Sequence, residues 1–266
     1  YYWTGKAEET VFFTGVPFGL NAQEINGWLH YGGGLELWRE LYEPFNLVPF
    51  AGGNTGVQMA GWFNREINSM EDIKGLKMRI PGLGGEVITR AGGTSVTMPG
   101  NELYTSMQTG VIDATEWVGA WNDEIMKFYE AAKFYYTAGM HEPGSMIAAG
   151  FNAKWWSDLS DSDKACIEAA ATAENEMMMS EYNGKSGAAF NRLTNDHGVK
   201  VRSFNDDVWD AFGEASAEVF EETRQHSEMA ARVNDSYMGA LRDIGGFRAI
   251  AEIEFSQQRN RVLGLT

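Results

Sequence analysis

Arg79 closes the strand-like run Lys77-Met78-Arg79-Ile80, just ahead of the turn Pro81-Gly82. A planar fork of donors at a strand end suits a carboxylate held by two hydrogen bonds. The plainer role is a surface arginine whose stem packs on a neighbour. Glu116-Trp117 follows the apolar pair Val111-Ile112, again at a strand end. A glutamate there can bind a hard cation through oxygen or work as a general acid or base. A solvated carboxylate is the simpler alternative. Glu142 lies in the loop His141-Glu142-Pro143-Gly144 and can face the same crevice. Two carboxylates converging in a cleft repel unless a cation or a proton sits between them. The pair therefore points to a metal or to an acid–base pair, and spacing does not choose. Gln58, after the glycine-rich Gly52-Gly53-Asn54-Thr55-Gly56, offers an amide oxygen and an NH₂ that can bridge cation and substrate.

Other chemistries find less support. Gly-Gly-Asn-Thr-Gly lacks the lysine and spacing of a phosphate-binding loop, and Gly82-Leu83-Gly84-Gly85 fails the dinucleotide fingerprint. His30, His141, His197 and His226 are scattered, with no HExxH pair for zinc. No Gly-x-Ser-x-Gly elbow occurs. Cys166 falls in a helical run and reads as a core residue. Met177 to Met179 read as packing. The nine tryptophans can line a sugar site, but most will serve core and lobe-interface packing.

These residues must be positioned by an α/β framework. Short strand-like runs alternate with helical ones. Helices are expected at 21–31, with Asn21 as cap, and at 35–42. A strand at 46–50 is broken by Gly52-Gly53. A helix start at Ser69 ends at Gly75. Then follow a strand at 77–80, a helix at 86–91, a strand at 95–98, a helix at 102–108 and a strand at 112–117. This is the rhythm of βαβ crossovers. Beyond Ser160 the chain is helical at 160–191, from Asp206, and at 246–262, with one clear strand at 198–203. An α/β body followed by helices suggests two lobes joined by crossing segments, with the ligand in the crevice beside strand C-termini.

Composition narrows the partners. The 266 residues are 44% hydrophobic and 22% charged, an ordinary globular balance. Lys+Arg number 21 against 37 Asp+Glu, a net charge of −16. That surface repels phosphate backbones and anionic lipid, so nucleic acid is not an expected partner. A single cysteine excludes an internal disulfide framework and a multi-thiolate metal site. No apolar run approaches the ~20 residues of a membrane span.

The stretch Asp72-Ile73-Lys74-Gly75-Leu76-Lys77-Met78-Arg79-Ile80-Pro81-Gly82 resembles the signature of TRAP-transporter solute receptors, the DctP-like periplasmic binding proteins. The likeness continues through Gly92-Gly93, Met98-Pro99, Glu102-Leu103-Tyr104, Met107 to Asp113 and Glu116. It resumes at Phe151-Asn152, Trp155 and Leu159. Within the family the chain looks most like the receptors for 2-oxo and 2-hydroxy monocarboxylates. The resemblance implies a two-lobe α/β periplasmic-binding-protein fold with a hinge, crossing strands and a long connecting helix. It implies a non-catalytic periplasmic receptor that binds a small carboxylate with a metal cation, Na⁺ or Ca²⁺, and hands it to a membrane permease.

By the same resemblance the ligand-facing residues are Arg79, Gln58, Trp117, Asn152, Phe18 and Trp3, with Tyr1-Tyr2-Trp3 as an aromatic wall. The cation would be held by Glu116, Glu142, Gln58 and the carbonyl of Trp117. The lobes would divide as 1–53 (lobe I), 54–144 (lobe II), 145–205 (lobe I with the long helix) and 206–245 (lobe II). Segment 246–266 is either a homodimer contact, as in that branch of the family, or a helix packed on its own chain. The family opens with a signal peptide and a strand-helix-strand of lobe I. This chain starts beyond them, so an incomplete first lobe is expected. Two other readings stay open: a metal-independent receptor for a C4-dicarboxylate or sugar acid, and a glycoside hydrolase using Glu116 and Glu142. Arg79 argues against the second, since a neutral sugar needs no guanidinium.

Overall fold

Asn21 starts the first helix with a capping box. Its side-chain oxygen accepts from the N–H groups of Gln23 and Glu24, both at 3.1 Å, and the Glu24 carboxylate accepts from Asn21 N–H at 2.9 Å. The computed structural model describes residues 3–265, so Tyr1 and Tyr2 of the expected aromatic wall lie outside it. A 3-10 turn at Glu8–Phe13 precedes α1 (Ala22–Tyr31) and α2 (Gly34–Tyr42). The turn and both helices bury Phe12, Phe13, Trp28 and Trp38 in one core, with Phe13 stacked between the two indoles at 5.2 and 5.3 Å.

Then β1 (Leu47–Asn54) leads out of this lobe. It runs through Gly52-Gly53, where a break was expected. The ladder to the returning strand absorbs them as a register shift between Ala51 and Asn54. The second lobe is built from β2 (Gly61–Phe63), α3 (Met70–Ile73), β3 (Lys77–Arg79), α4 (Gly82–Arg90), β4 (Thr94–Val96), α5 (Gly100–Thr109), β5 (Ala114–Thr115), α6 (Ala120–Ile125), α7 (Phe128–Ala131) and β6 (Phe134–Tyr136). The chain returns through β7 (Met146–Asn152), antiparallel to β1, and a short α8 (Ala153–Ser157). It crosses again in the long α9 (Asp161–Asn195) to β8 (Lys200–Arg202), α10 (Asp206–Gln225) and α11 (Glu228–Ala240).

The larger sheet has the order β4-β3-β5-β2-β6-β8. β3 is parallel to both β4 and β5, as the βαβ reading requires, and β2 is antiparallel to its neighbours β5 and β6. Gly61 opens β2 at φ +114, and a Cβ there would collide with the carbonyl of Thr115 and Cα of Glu116. Glycine is thus what lets β2 lie close to the segment carrying Glu116.

Lobe membership differs from the expected division. β8 joins the larger sheet, and α11 places Val233 and Tyr237 in the core of the first lobe. The two lobes are bridged by β1, β7 and α9. The first half of α9 meets α2 and α1 through Arg39–Glu168 at 3.5 Å and Asn175–Asn26 at 2.9 Å. Its end meets α6 through a forked Arg192–Glu124 pair at 2.6 and 2.7 Å. From Glu228 the chain stays helical to Leu263, through π-helical stretches at Leu241–Gly245 and Ala249–Ile253 around α12 (Gly246–Arg248), into α13 (Glu254–Leu263). Arg248 ties this extension to Glu24 of α1 at 3.4 Å. Beyond it Ile250, Phe255, Val262 and Leu263 are exposed.

Asp123 of α6 is fully buried and accepts from Trp62 Nε1 at 3.0 Å, Tyr135 Oη at 2.7 Å and Val118 N–H at 3.3 Å. Burial pushes its carboxyl up to about 7, against those hydrogen bonds, with the charge of Glu116 adding a little. Between about pH 4 and about pH 7 the folded protein holds a proton that the unfolded chain has released, so this group lowers stability as pH rises. Urea unfolding across that range should show a falling stability in the wild type and a flatter profile in Asp123→Asn. Equal slopes would remove Asp123 as the source.

Candidate functional site

Three chain segments converge where the crossing strands meet the larger sheet. β3 ends in Arg79, β5 runs into Glu116, and the loop before β7 carries His141 and Glu142. Backbone hydrogen bonds lock them together: Glu116 N–H to Arg79 O at 3.2 Å, Gln58 N–H to Glu142 O at 3.0 Å, and Met59 N–H to Val118 O at 3.0 Å. The side chains of Gln58, Arg79, Glu116, His141 and Glu142 are all buried.

Arg79 donates from Nη1 in a short ion pair to Glu116 Oε1, and from Nε to Met98 O at 3.4 Å. Its guanidinium also sits 5.6 Å from the ring of Trp117. The other oxygen of Glu116 lies 3.3 Å from His141 Nε2. Glu142 Oε2 accepts from Gln58 Nε2 at 2.7 Å and from Ser145 Oγ in a short hydrogen bond. Gln58 Nε2 also reaches Thr55 Oγ1 at 3.2 Å, while Gln58 Oε1 is buried with no hydrogen-bond partner. Burial, then the charge of Glu116, raises the pKa of Glu142, against His141 and the Ser145 hydroxyl. Burial opposes a charged His141, but Glu116 and then Glu142 outweigh it and raise the imidazole pKa.

Carboxylate and imidazole atoms of Glu116, His141 and Glu142 lie within 4.8 Å of one another. Two carboxylates and an orphaned amide oxygen form an oxygen-rich donor set that suits a hard cation. His141 is better placed as a partner of Glu116 than as a ligand for such an ion. An adjoining cavity of about 330 Å³ is lined by Thr14 from the first lobe and Thr55 and Gln58 beyond β1. Arg79, Trp117 and Val118 line it from the second lobe, Ser145 to Ala148 from β7 and its approach, and Met178 and Tyr182 from α9.

The structure thus gathers five of the expected site residues: Gln58, Arg79, Glu116, Trp117 and Glu142. It places three elsewhere. Trp3 stacks on Tyr42 at 5.6 Å and abuts Phe45, so it belongs to the first lobe's aromatic packing. Phe18 is turned aside by a left-handed backbone (φ 54) and packs edge-on against Trp209 of α10. Asn152 caps α8, its side chain accepting from Trp155 N–H at 3.0 Å. Sequence reasoning missed His141 and Ser145, although both flank Glu142 in the same loop. It also missed Met178, which only the path of α9 brings to the cavity. Cys166, expected in the core, is exposed on α9.

Two lobes joined by crossing strands, with a buried guanidinium and paired carboxylates beside the cavity, suit a receptor that encloses a small charged solute. The comparisons agree. The model of the DctP family, bacterial extracellular solute-binding protein family 7, matches residues 1–226, and the chain belongs to that family. A monocarboxylate 2-oxoacid-binding periplasmic protein of Nostoc sp. is 37% identical over 255 residues, 96% of this chain and 70% of the relative. A TRAP periplasmic solute-binding protein of Pseudoalteromonas atlantica, solved with sodium and pyruvate, is 36% identical with a TM-score of 0.92, covering 97% of this chain and 78% of that one. Another from Colwellia psychrerythraea, solved with calcium and pyruvate, is 39% identical with a TM-score of 0.93, covering 97% and 79%. Among the described residues no helix is long and apolar enough to cross a membrane.

Removing one member of a buried ion pair strands the other charge. Arg79→Met should lower the unfolding free energy by about 3–5 kcal/mol, and adding Glu116→Gln should recover much of it. A double-mutant cycle in urea reads this. Additive losses would show that the pair does not couple.

Proposed function

We propose that this chain is the receptor of a TRAP-type uptake system for a small 2-oxo or 2-hydroxy monocarboxylate, bound together with Na⁺ or Ca²⁺. The observation that carries the reading is the donor set at one end of the cavity. Arg79 stands beside Glu116 and Glu142, with the oxygen of Gln58 unpartnered. Pyruvate with sodium or calcium in the two solved relatives supports it. Glu116, Glu142, Gln58 and the carbonyl of Trp117 are the proposed cation ligands. A cation there would offset the two carboxylates and give the acid's oxygens a positive partner.

The chain's own residues then divide the work. Arg79 turns its fork from Glu116 toward the incoming carboxylate, exchanging one charge-assisted pair for another. His141 lies against the second oxygen of Glu116, its Nε2 3.3 Å away. Ser145 and Thr55 hold Glu142 and Gln58 in register by hydrogen bonds. The acid is bound and released unchanged. Both carboxylates are buried and Glu116 is paired with Arg79, a poor arrangement for protonating a glycosidic bond. Delivery would be to a membrane permease outside the cytoplasm. The exposed apolar residues of α13 and the stretch before it fit a contact with a second copy of the chain.

A thermal-shift series tests this. Pyruvate or lactate at about 100 times Kd should stabilise the protein by about 2.7 kcal/mol, a rise in Tm of about 5 °C or more. The rise should vanish in chelator without sodium. A shift with succinate or a sugar acid that ignores the cation would overturn the metal-assisted reading. No shift with any acid would overturn the receptor reading.

A further inference from the structure

We infer that the turn Asn54-Thr55-Gly56 decides which way round the Gln58 amide faces, and that Thr55 is the positioning residue that makes Gln58 a cation ligand. This rests on the metal-assisted reading and deepens it.

An amide can meet a cation only with its oxygen, never with its NH₂. Gln58 is 4% exposed, and its NH₂ donates twice, to Glu142 Oε2 at 2.7 Å and to Thr55 Oγ1 at 3.2 Å. Reversing the amide would set its oxygen against a carboxylate oxygen and a hydroxyl oxygen. The carboxylate can only accept, but a hydroxyl can also donate, so Thr55 would tolerate either orientation if its proton were free. That proton is already used. Thr55 Oγ1 donates to the carbonyl of Gly56 at 3.0 Å, which leaves it an acceptor toward Gln58.

The turn puts the Gly56 carbonyl where Thr55 can reach it. The Asn54 side chain accepts from Gly56 N–H at 2.8 Å, and Gly56 takes a left-handed φ of +70. Asn54 is fully buried and its Nδ2 has no partner, so the fold carries an unsatisfied donor to keep this one acceptor. The same segment is clamped to the loop that carries Glu142: Thr55 N–H donates to Ser145 O at 3.1 Å and Gln58 N–H to Glu142 O at 3.0 Å. The hydrogen bonds therefore run one way, from the Gln58 NH₂ to Thr55 and on to Gly56. Gln58 Oε1 is what they leave over, buried and without a hydrogen-bond partner. In company with Glu116 and Glu142, a hard cation is the partner it suits.

Thr55→Val keeps the shape of the side chain and removes the hydroxyl, whereas Thr55→Ser keeps the hydroxyl. Isothermal titration gives the calcium needed for half-saturation in excess pyruvate, and the pyruvate Kd in excess calcium. Thr55→Val should raise the calcium requirement about tenfold, the usual scale for losing a group that orients a metal ligand. It should leave the pyruvate Kd in excess calcium nearly unchanged, and Thr55→Ser should match the wild type in both. A second measurement needs no variant and no ligand. In the cation-free wild type the Gln58 NH₂ protons should exchange with water far more slowly, by NMR, than those of the exposed Gln257. An unchanged calcium requirement in Thr55→Val, an equal loss in Thr55→Ser, or a pyruvate loss as large as the calcium loss overturns this inference alone. So does exchange at Gln58 as fast as at Gln257. Pyruvate binding by the wild type that ignores both calcium and sodium overturns the metal-assisted reading and this inference with it.

Discussion

The ion pair between Arg79 and Glu116 is the constraint around which the second lobe is arranged. Both side chains are almost completely buried. Taking two charges from water is expensive, and their attraction repays it only when geometry and supporting hydrogen bonds are good. The surrounding structure supplies both. Gly61 leaves room for β2 beside the Thr115–Glu116 backbone. Asp123 holds Val118 N–H just beyond Trp117. The Glu116 N–H bonds to the carbonyl of Arg79 itself. The two charges are therefore fixed by backbone before their side chains meet.

That pair also explains why an anion and a cation suit the site together. In the proposed reading Arg79 would be shared between its own glutamate and a carboxylate entering the cavity. A carboxylate alone would add a negative charge to a buried region that already holds Glu116 and Glu142, and like charges in such a place repel strongly. A cation alone would compete with Arg79 for Glu116. With both present, each new charge meets one the other has released. Burial first, and then the same crowding by Glu116, raises the proton affinity of Glu142.

Much of this was legible in the sequence. Arg79 ends a strand before Pro81-Gly82, Glu116 ends the next parallel strand, and parallel strands put their C-terminal ends on one edge. Residue type and position therefore converged for these two. Glu142 and Gln58 were legible by chemistry but not by geometry, because their loops are placed by the crossing strands. Trp3, Phe18 and Asn152 do not line the cavity, each for a local reason: a stacking partner in Tyr42, a left-handed backbone, and a helix needing a cap. The strands β2 and β6 are as short as β3 and β4 but lack the Gly and Pro punctuation on both sides (Gly75, Pro81-Gly82, Gly92-Gly93, Pro99) that marked those two. The strand β7 hid because both its faces carry small or mixed residues. Gly52-Gly53 looked like a break and proved to be a bulge that keeps β1 running between the lobes.

The bulge links the fold to the site. β1, β7 and α9 are the elements that cross, and the cavity is lined by residues from β7, from α9 and from just beyond β1. A ligand in this cavity would meet Arg79 and Trp117 of the second lobe as well as Ile147 and Met178 of the segments that carry the first. Any change in angle between the lobes moves those two walls apart. Binding energy made at both walls at once is available only in the arrangement that keeps them close, and a ligand shifts an equilibrium by no more than that difference. The glycine at 53 that admits the Met178 sulfur lies on the strand that joins the lobes, so the crossing segments themselves shape the wall of the cavity.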